Sequence, residues 1–172
     1  MQTENFSFKP LQKTDLNQLC RWFSKSHVKE WWNDNLTDDE ITAKYQERIA
    51  NLIVHPFMVY SQETPIGFIQ YYNANKIDED WCSGEPAGTV GIDQFIGEED
   101  YLNRGNGTEM IKQFVAMLFT DSVIRKIITD VNKNNSRAIR CYEKAGFSLA
   151  KEIFTPAGQV YIMQLKRIAL VS

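Results

Sequence analysis

The chain has 172 residues, 43% of them hydrophobic and 24% charged, and a net charge of −3. Those values describe an ordinary soluble globular protein with room for a sizeable core, and one domain over 1–172 is expected. A negative balance argues against nucleic acid as a partner, because phosphate binding needs a basic face.

No apolar run reaches the length of a membrane span, and Met1 to Pro10 has no hydrophobic signal region, so no membrane partner and a cytoplasmic location are expected. Cys20, Cys82 and Cys141 are unpatterned and fit a reducing compartment. His27 and His55 are far apart and near no cysteine pair, so no metal site is expected.

In chain order, Phe6, Phe8 and Leu11 predict a first strand. Thr14-Asp15 opens a helix with Leu16, Leu19, Cys20 and Phe23 on one stripe. Trp31-Trp32 before Asn33-Asp34-Asn35 predicts a short helix or turn, with either both rings packed or one facing a cleft. Thr37-Asp38-Asp39-Glu40 reads as a capping box, and its helix carries Ile41, Tyr45, Ile49 and Leu52, ending before His55-Pro56. Phe57 to Tyr60 and Ile66 to Tyr72 form a hairpin about Gln62-Glu63-Thr64-Pro65.

Asn73 to Gly88 is a long polar connection, the kind that is more often functional than not. From Ile77 to Asn103 there are eight acidic residues and no Lys or Arg. A charge run is usually a solvated face, but Trp81 inside this one points to a site that attracts a cation.

Thr89 to Ile96 is the next strand, with Val90, Ile92, Gln94 and Ile96 on one face and Gly91, Asp93 and Phe95 on the other. An acid mid-strand in apolar company is costly unless it is partnered or used, which makes Asp93 a functional candidate. Then comes Asn103-Arg104-Gly105-Asn106-Gly107-Thr108, with Met110, Ile111, Phe114, Val115 and Leu118 on one helical face after Thr108. A glycine turn feeding a helix start leaves backbone N–H groups pointing outward at the positive end of the dipole, where phosphate fits.

Lys126 to Asp130 is a strand, so strand, turn, helix and strand make a crossover with parallel strands. Asn132 to Asn135 turns the chain, Ser136 caps a helix carrying Ala138, Ile139, Tyr142 and Ala145, and Gly146 ends it. Phe147 to Phe154 and Gln159 to Leu165 close as a hairpin about Pro156-Ala157-Gly158.

This element order, with "EWW", "PIGFIQ", "GIDQFIG", "RGNGT" and "NNSRAIRCYEKAGF", resembles the GNAT family of acyl-CoA N-acyltransferases across essentially the whole chain. Within the family it is most similar to the aminoglycoside 6′-N-acetyltransferases. The resemblance implies an α/β (α+β) GNAT fold: a mixed central sheet of six to seven strands flanked by helices, splayed at the two central parallel strands. It implies acetyl-CoA as co-substrate and a cationic amine as acceptor, in a monomer or homodimer.

By the same resemblance, pyrophosphate would sit on the amides of Arg104, Gly105, Asn106, Gly107 and Thr108, and pantetheine on the strand edge at Gln94, Phe95 and Ile96 and on Asn135. Tyr142 matches the tyrosine beside the thioester sulfur; without the resemblance it would read as core. Trp32, Tyr45, Glu79, Trp81, Asp93 and Asp130 would face the acceptor. Two departures are visible: Leu102 stands where the family often has Gln or Arg, and Trp81-Cys82 where relatives can carry two tryptophans.

The chemistry agrees independently. An aliphatic amine is mostly protonated at neutral pH, and a carboxylate such as Asp93 can bind the ammonium and take its proton. A backbone N–H near Asp93 to Phe95 can polarise the thioester carbonyl, and the Tyr142 hydroxyl can return a proton to the thiolate. Cys141 reads as packing. The acceptor could equally be a protein N-terminus, a lysine, a polyamine or a siderophore precursor, and a third reading is a non-catalytic acyl-CoA-binding module.

Overall fold

The alternation of Thr89–Ile96 builds the strand on which the predicted site depends, and in the computed structural model this strand has those bounds. The structure describes residues 4–32, 35–82, 84–156 and 158–168. The strands are β1 (Phe6–Pro10), β2 (Val54–Ser61), β3 (Thr64–Asn73), β4 (Thr89–Ile96), β5 (Lys126–Asn132), β6 (Ser148–Thr155) and β7 (Gly158–Lys166). The helices are α1 (Leu16–Phe23), α2 (Ser26–Lys29), α3 (Asp38–Ala50), α4 (Asn106–Leu118) and α5 (Ser136–Lys144).

The strands form one seven-stranded sheet in the order β1-β2-β3-β4-β5-β7-β6. Strand β1 pairs antiparallel with β2, β5 with β7 and β7 with β6, whereas β4 and β5 are parallel, as the crossover through α4 requires. The parallel register matches Thr89–Gly91 with Lys126–Ile128. Asp93 lies two residues beyond the last matched residue of β4.

The chain divides into two compact units, residues 1–71 with 93–107, and residues 72–92 with 108–172. The first is built on an aromatic core. Trp22, Phe23, Tyr45, Phe68 and Phe95 are buried together with Leu16, Leu19 and Met58, and Trp32 packs against them. Their rings meet mostly edge to face, at 5.1 Å for Trp32–Phe95 and 5.4 Å for Phe23–Phe95, an arrangement that adds to the area they bury. The predicted stripe of α1 is buried, and Trp22 is buried with it.

The capping box at α3 forms as predicted: Thr37 Oγ1 accepts from Glu40 N at 3.3 Å, and Glu40 Oε2 accepts from Thr37 N at 2.8 Å. Ile41 and Tyr45 are buried. Leu52 is not part of that stripe; the helix ends at Ala50 and Leu52 is exposed. The strand after it starts earlier than predicted and takes in His55-Pro56. Trp31 and Trp32 follow the short helix α2 and are both half-buried; Asn33 and Asp34 lie outside the described residues.

In the second unit, α5 carries Tyr142 on its buried side. Its N-cap is Asn135, one residue before the predicted Ser136: Asn135 Oδ1 accepts from Ala138 N at 3.1 Å. Asn and Ser are about equally good caps, and the turn bond from Asn135 N to the Asn132 carbonyl at 2.8 Å sets which one leads the helix. Gly146 ends the helix with φ +99°, as predicted. The N–H of Gly146 donates to the Glu143 carbonyl and that of Phe147 to the Tyr142 carbonyl, both at 3.0 Å, which is a Schellman ending. The closing hairpin β6–β7 is antiparallel with an irregularity between Leu149 and Lys151, and Ala157 in its turn lies outside the described residues.

Candidate active site

Asp93 is the fifth residue of β4 and is half-buried. Its Oδ2 accepts from Gln70 Nε2 at 2.7 Å. Gln70 is itself buried, and its Oε1 accepts from Arg48 Nη1 at 3.0 Å. Because a guanidinium only donates, Arg48 fixes which end of the Gln70 amide faces Asp93. Arg48 also stands over the Tyr45 ring, 5.1 Å from its centroid. One oxygen of the candidate base is thus oriented by two residues, from β3 and α3, that sequence reasoning did not single out. Gln70 lay in plain sight in "PIGFIQ", but its partners are 22 and 23 residues away.

The neighbours of Asp93 divide. Phe95 is in the aromatic core, so only its backbone is available to a ligand. Gln94 is half-buried, and its Oε1 is buried without a hydrogen-bond partner. Ile96 is half-buried, and its carbonyl accepts from His27 Nε2 at 2.9 Å; a carbonyl only accepts, so that nitrogen carries the hydrogen. Trp32 and Tyr45 line one cavity with Phe23, Leu36, Lys29 and Lys44. The aromatic walls were expected there; the two lysines were not.

The glycine turn is tighter than predicted. Helix α4 starts at Asn106, so Gly107 lies in its first turn and Thr108 is its third residue. Only Asn103 and Gly105 in the turn have positive φ, +59° and +83°. A Cβ on Gly105 would meet nothing within 4 Å, so the backbone faces open space there. Arg104 is exposed, whereas Thr108 is buried. Asn106 is also buried and turns its side chain inward, Nδ2 donating to the Tyr101 carbonyl at 3.1 Å, which leaves its backbone as the part a ligand could use. The N–H groups of the first helical turn have no partner within the helix and lie at the positive end of its dipole, so the turn fits an anionic phosphate group.

In the second unit, Tyr142 is buried and its ring meets Phe147 edge to face at 5.2 Å. Asn135 spends its side-chain oxygen on the cap of α5. Asp130 is exposed on β5 opposite Ile162 of β7. Glu79 is exposed, and Trp81 is half-buried against a small cluster of Ala74, Cys82 and Ile128 that anchors the long connection. Burial pushes the Cys82 thiol up to about 11, and the charges of Glu79, Asp130 and Glu85 push the same way while Lys151 opposes them.

Part of the acidic run is neutralised from outside it. Glu85 pairs with Lys126 at 2.5 Å, Lys25 with Glu98 at 2.9 Å, and Lys151 Nζ donates to the Trp81 carbonyl at 2.9 Å. Among the described residues no group of three or more His, Cys, Asp or Glu could hold a metal ion, and no helix is long and apolar enough to cross a membrane.

The fold is that of an acetyltransferase. The GNAT acetyltransferase domain matches residues 12–155, and the chain belongs to that family. It is 32% identical over 170 residues to the aminoglycoside N(6′)-acetyltransferase type 1 of Klebsiella pneumoniae, spanning 95% of this chain and 85% of that protein. The crystal structure of aminoglycoside acetyltransferase AAC(6′)-Ib with coenzyme A and kanamycin matches it with a TM-score of 0.88 at 34% identity, covering 95% of each chain. A shorter similarity, 28% over 110 residues and 64% of this chain, joins it to the spermine/spermidine N(1)-acetyltransferase of Bacillus subtilis (strain 168), of which it covers 70%. The protein is an acetyl-CoA-dependent N-acetyltransferase with the GNAT fold.

Proposed function

We propose that the chain is one GNAT domain that carries the acetyl group of acetyl-CoA to the 6′-amino group of an aminoglycoside, in the cytoplasm, as a monomer or homodimer. The observation that carries this reading is its similarity, over 95% of both chains, to an aminoglycoside acetyltransferase solved with coenzyme A and kanamycin.

In this reading the pyrophosphate rests on the N–H groups of Arg104, Gly105, Asn106, Gly107 and Thr108, with the Arg104 guanidinium adding a charge-assisted contact. The pantetheine amides follow the backbone of Gln94, Phe95 and Ile96 and meet Asn135. Trp32 and Trp81 offer flat faces to sugar rings, the buried Tyr45 backs the cavity that Trp32 lines, and Glu79, Asp93 and Asp130 attract the ammonium groups. Asp93 binds the 6′-ammonium and accepts its proton, directly or through water. The freed amine attacks the thioester carbon, polarised by a backbone N–H of the Asp93 to Phe95 stretch. A C–N bond forms and the C–S bond breaks as the tetrahedral adduct collapses. The amine nitrogen loses two protons in all, the thiolate gains one from Tyr142, and one is released to solvent. No covalent enzyme intermediate is needed.

Removing that ammonium takes a positive charge and a hydrogen-bond donor from the drug, which would confer resistance. A polyamine acceptor is the second reading, favoured by the similarity to the Bacillus enzyme. Thiol release from acetyl-CoA, measured with kanamycin, tobramycin, a kanamycin analogue blocked at the 6′-amine and spermidine, separates them. Release with the first two alone is the expected result. Release with spermidine alone would replace the acceptor, and release with the blocked analogue would overturn the regiochemistry.

A further inference from the structure

The connector between β4 and the glycine turn is held by a carboxylate with an unusual number of partners. Glu98 Oε1 accepts from Trp22 Nε1 at 2.6 Å and from Gln18 Nε2 at 3.4 Å, and Oε2 accepts from Lys25 Nζ at 2.9 Å. Trp22 is fully buried, so its indole N–H cannot turn to water for another partner. The backbone is held as firmly. The N–H groups of Gly97 and Glu98 both donate to the Ile66 carbonyl, at 2.8 and 3.1 Å. A Cβ on Gly97 would lie 2.2 Å from the Trp22 ring, so the connector passes flat against the indole.

From Glu98 the hydrogen bonds continue to the phosphate end of α4. Tyr101 N donates to the Glu98 carbonyl at 3.1 Å, and the Tyr101 carbonyl accepts from Asn106 Nδ2 at 3.1 Å. Asn106 is the first residue of α4. One unbroken path therefore links α1, the following segment at Lys25 and strand β3 to the first turn of α4.

We propose that Glu98 is a positioning residue for acetyl-CoA: held by Trp22 and Lys25, it sets where the N–H groups of Gly105 to Gly107 stand, and so governs the pyrophosphate contact. It touches neither substrate. The proposal rests on the reading of the glycine turn as a pyrophosphate cradle, and its consequence is selective. Donors that carry the pyrophosphate should sense Glu98, and S-acetylpantetheine, which has the thioester and the pantetheine arm without it, should not.

The test compares Glu98→Ala, Glu98→Gln, Lys25→Ala and Gly105→Val. Titration calorimetry with coenzyme A needs no acceptor, and kinetics with acetyl-CoA and S-acetylpantetheine supply the selectivity. Glu98→Ala should weaken coenzyme A and raise the acetyl-CoA KM about tenfold, since sub-ångström misplacement of a binding group is enough for that, with kcat at saturation and S-acetylpantetheine turnover unchanged. Glu98→Gln keeps an acceptor for Trp22 but loses the charge facing Lys25, and it and Lys25→Ala should show about threefold. An unchanged coenzyme A affinity in Glu98→Ala, or an equal rise in KM for both donors, would overturn the proposal. Gly105→Val, which fills the open space over the turn, separates the two ways of failing: if it weakens coenzyme A while Glu98→Ala does not, the cradle stands without its brace, and if it too has no effect, the cradle reading itself fails.

Discussion

An asparagine stands at the start of each of helices α4 and α5, Asn106 as the first residue of α4 and Asn135 as the residue that caps α5, and the two side chains do opposite things. Asn135 gives its side-chain oxygen to the N–H of Ala138, so α5 satisfies part of its own N-terminus. Asn106 turns its side chain backward to the Tyr101 carbonyl, which tightens the loop before α4 and does nothing for the helix's own donors. Helix α3 sides with α5, its Thr37 and Glu40 closing a reciprocal box. The difference teaches why the proposed phosphate site is at α4: of these starts it is the one whose leading side chain works for the loop and whose preceding glycine faces open space.

Filling that space should give the largest effect on acetyl-CoA binding. Gly105→Val puts a β-branched residue at φ +83° and a side chain over the first turn, so acetyl-CoA KM should rise by about a hundredfold, read by initial rates, with circular dichroism confirming that the sheet remains. A KM within twofold of the parent would mean that phosphate binds elsewhere.

Tyr142→Phe comes next. It keeps the ring that packs on Phe147 at the Schellman ending and removes only the hydroxyl. If the hydroxyl protonates the thiolate, kcat should fall by about a hundredfold with thermal stability nearly unchanged. An unchanged kcat would return Tyr142 to a purely structural part.

Asn135→Ala should sharpen the contrast between the helix starts. Loss of the cap costs about 1 kcal/mol, a drop in Tm of about 3 °C, with a smaller change in acetyl-CoA KM than Gly105→Val. A KM effect larger than that of Gly105→Val would make Asn135 the principal ligand and reverse the comparison.

The smallest effect expected is on acid stability, through Glu98. Burial raises its pKa, but the hydrogen bonds from Trp22 and Lys25 and the charges of Lys25 and Arg21 outweigh this and hold it below the ordinary carboxylate value. A carboxylate lowered in the folded state stabilises fully above its unfolded pKa and loses that contribution as pH falls through the folded value. Urea midpoints of the parent should therefore exceed those of Glu98→Gln above about pH 5 and converge with them towards pH 3. A constant difference across that range would contradict the assignment.

What could be read before the fold was known was local. The alternation of Val90, Gly91, Ile92 and Phe95 gives β4 its bounds, Thr37 and Glu40 mark the start of α3, and Gly146 marks the end of α5. Errors arose where two local signals compete within a residue or two, as with Asn135 and Ser136 for the cap, or Asn106 and Thr108 for the start of α4, where a glycine sits inside the first turn against its propensity. The acid inside the apolar run of β4 and the paired glycines before α4 marked Asp93 and the glycine turn as candidates, and the resemblance to GNAT enzymes gave them roles, but their supports were invisible. Gln70 lies 23 residues from Asp93, and Trp22 lies 76 from Glu98, and only tertiary packing brings them together. The lysines at the Trp32 and Tyr45 cavity were hidden for the same reason: periodicity marks the buried face of α3 but does not reveal which flanking cations bend over a pocket.

The measurement that bears most directly on the account is single-turnover acetylation of kanamycin by Asp93→Asn beside the parent, with coenzyme A affinity measured on both. If Asp93 takes the proton of the amine, the rate should fall by about a thousandfold while coenzyme A binds as before, because the phosphate cradle is separate from the base. A rate within threefold of the parent would contradict the account and move the proton-accepting role to another group.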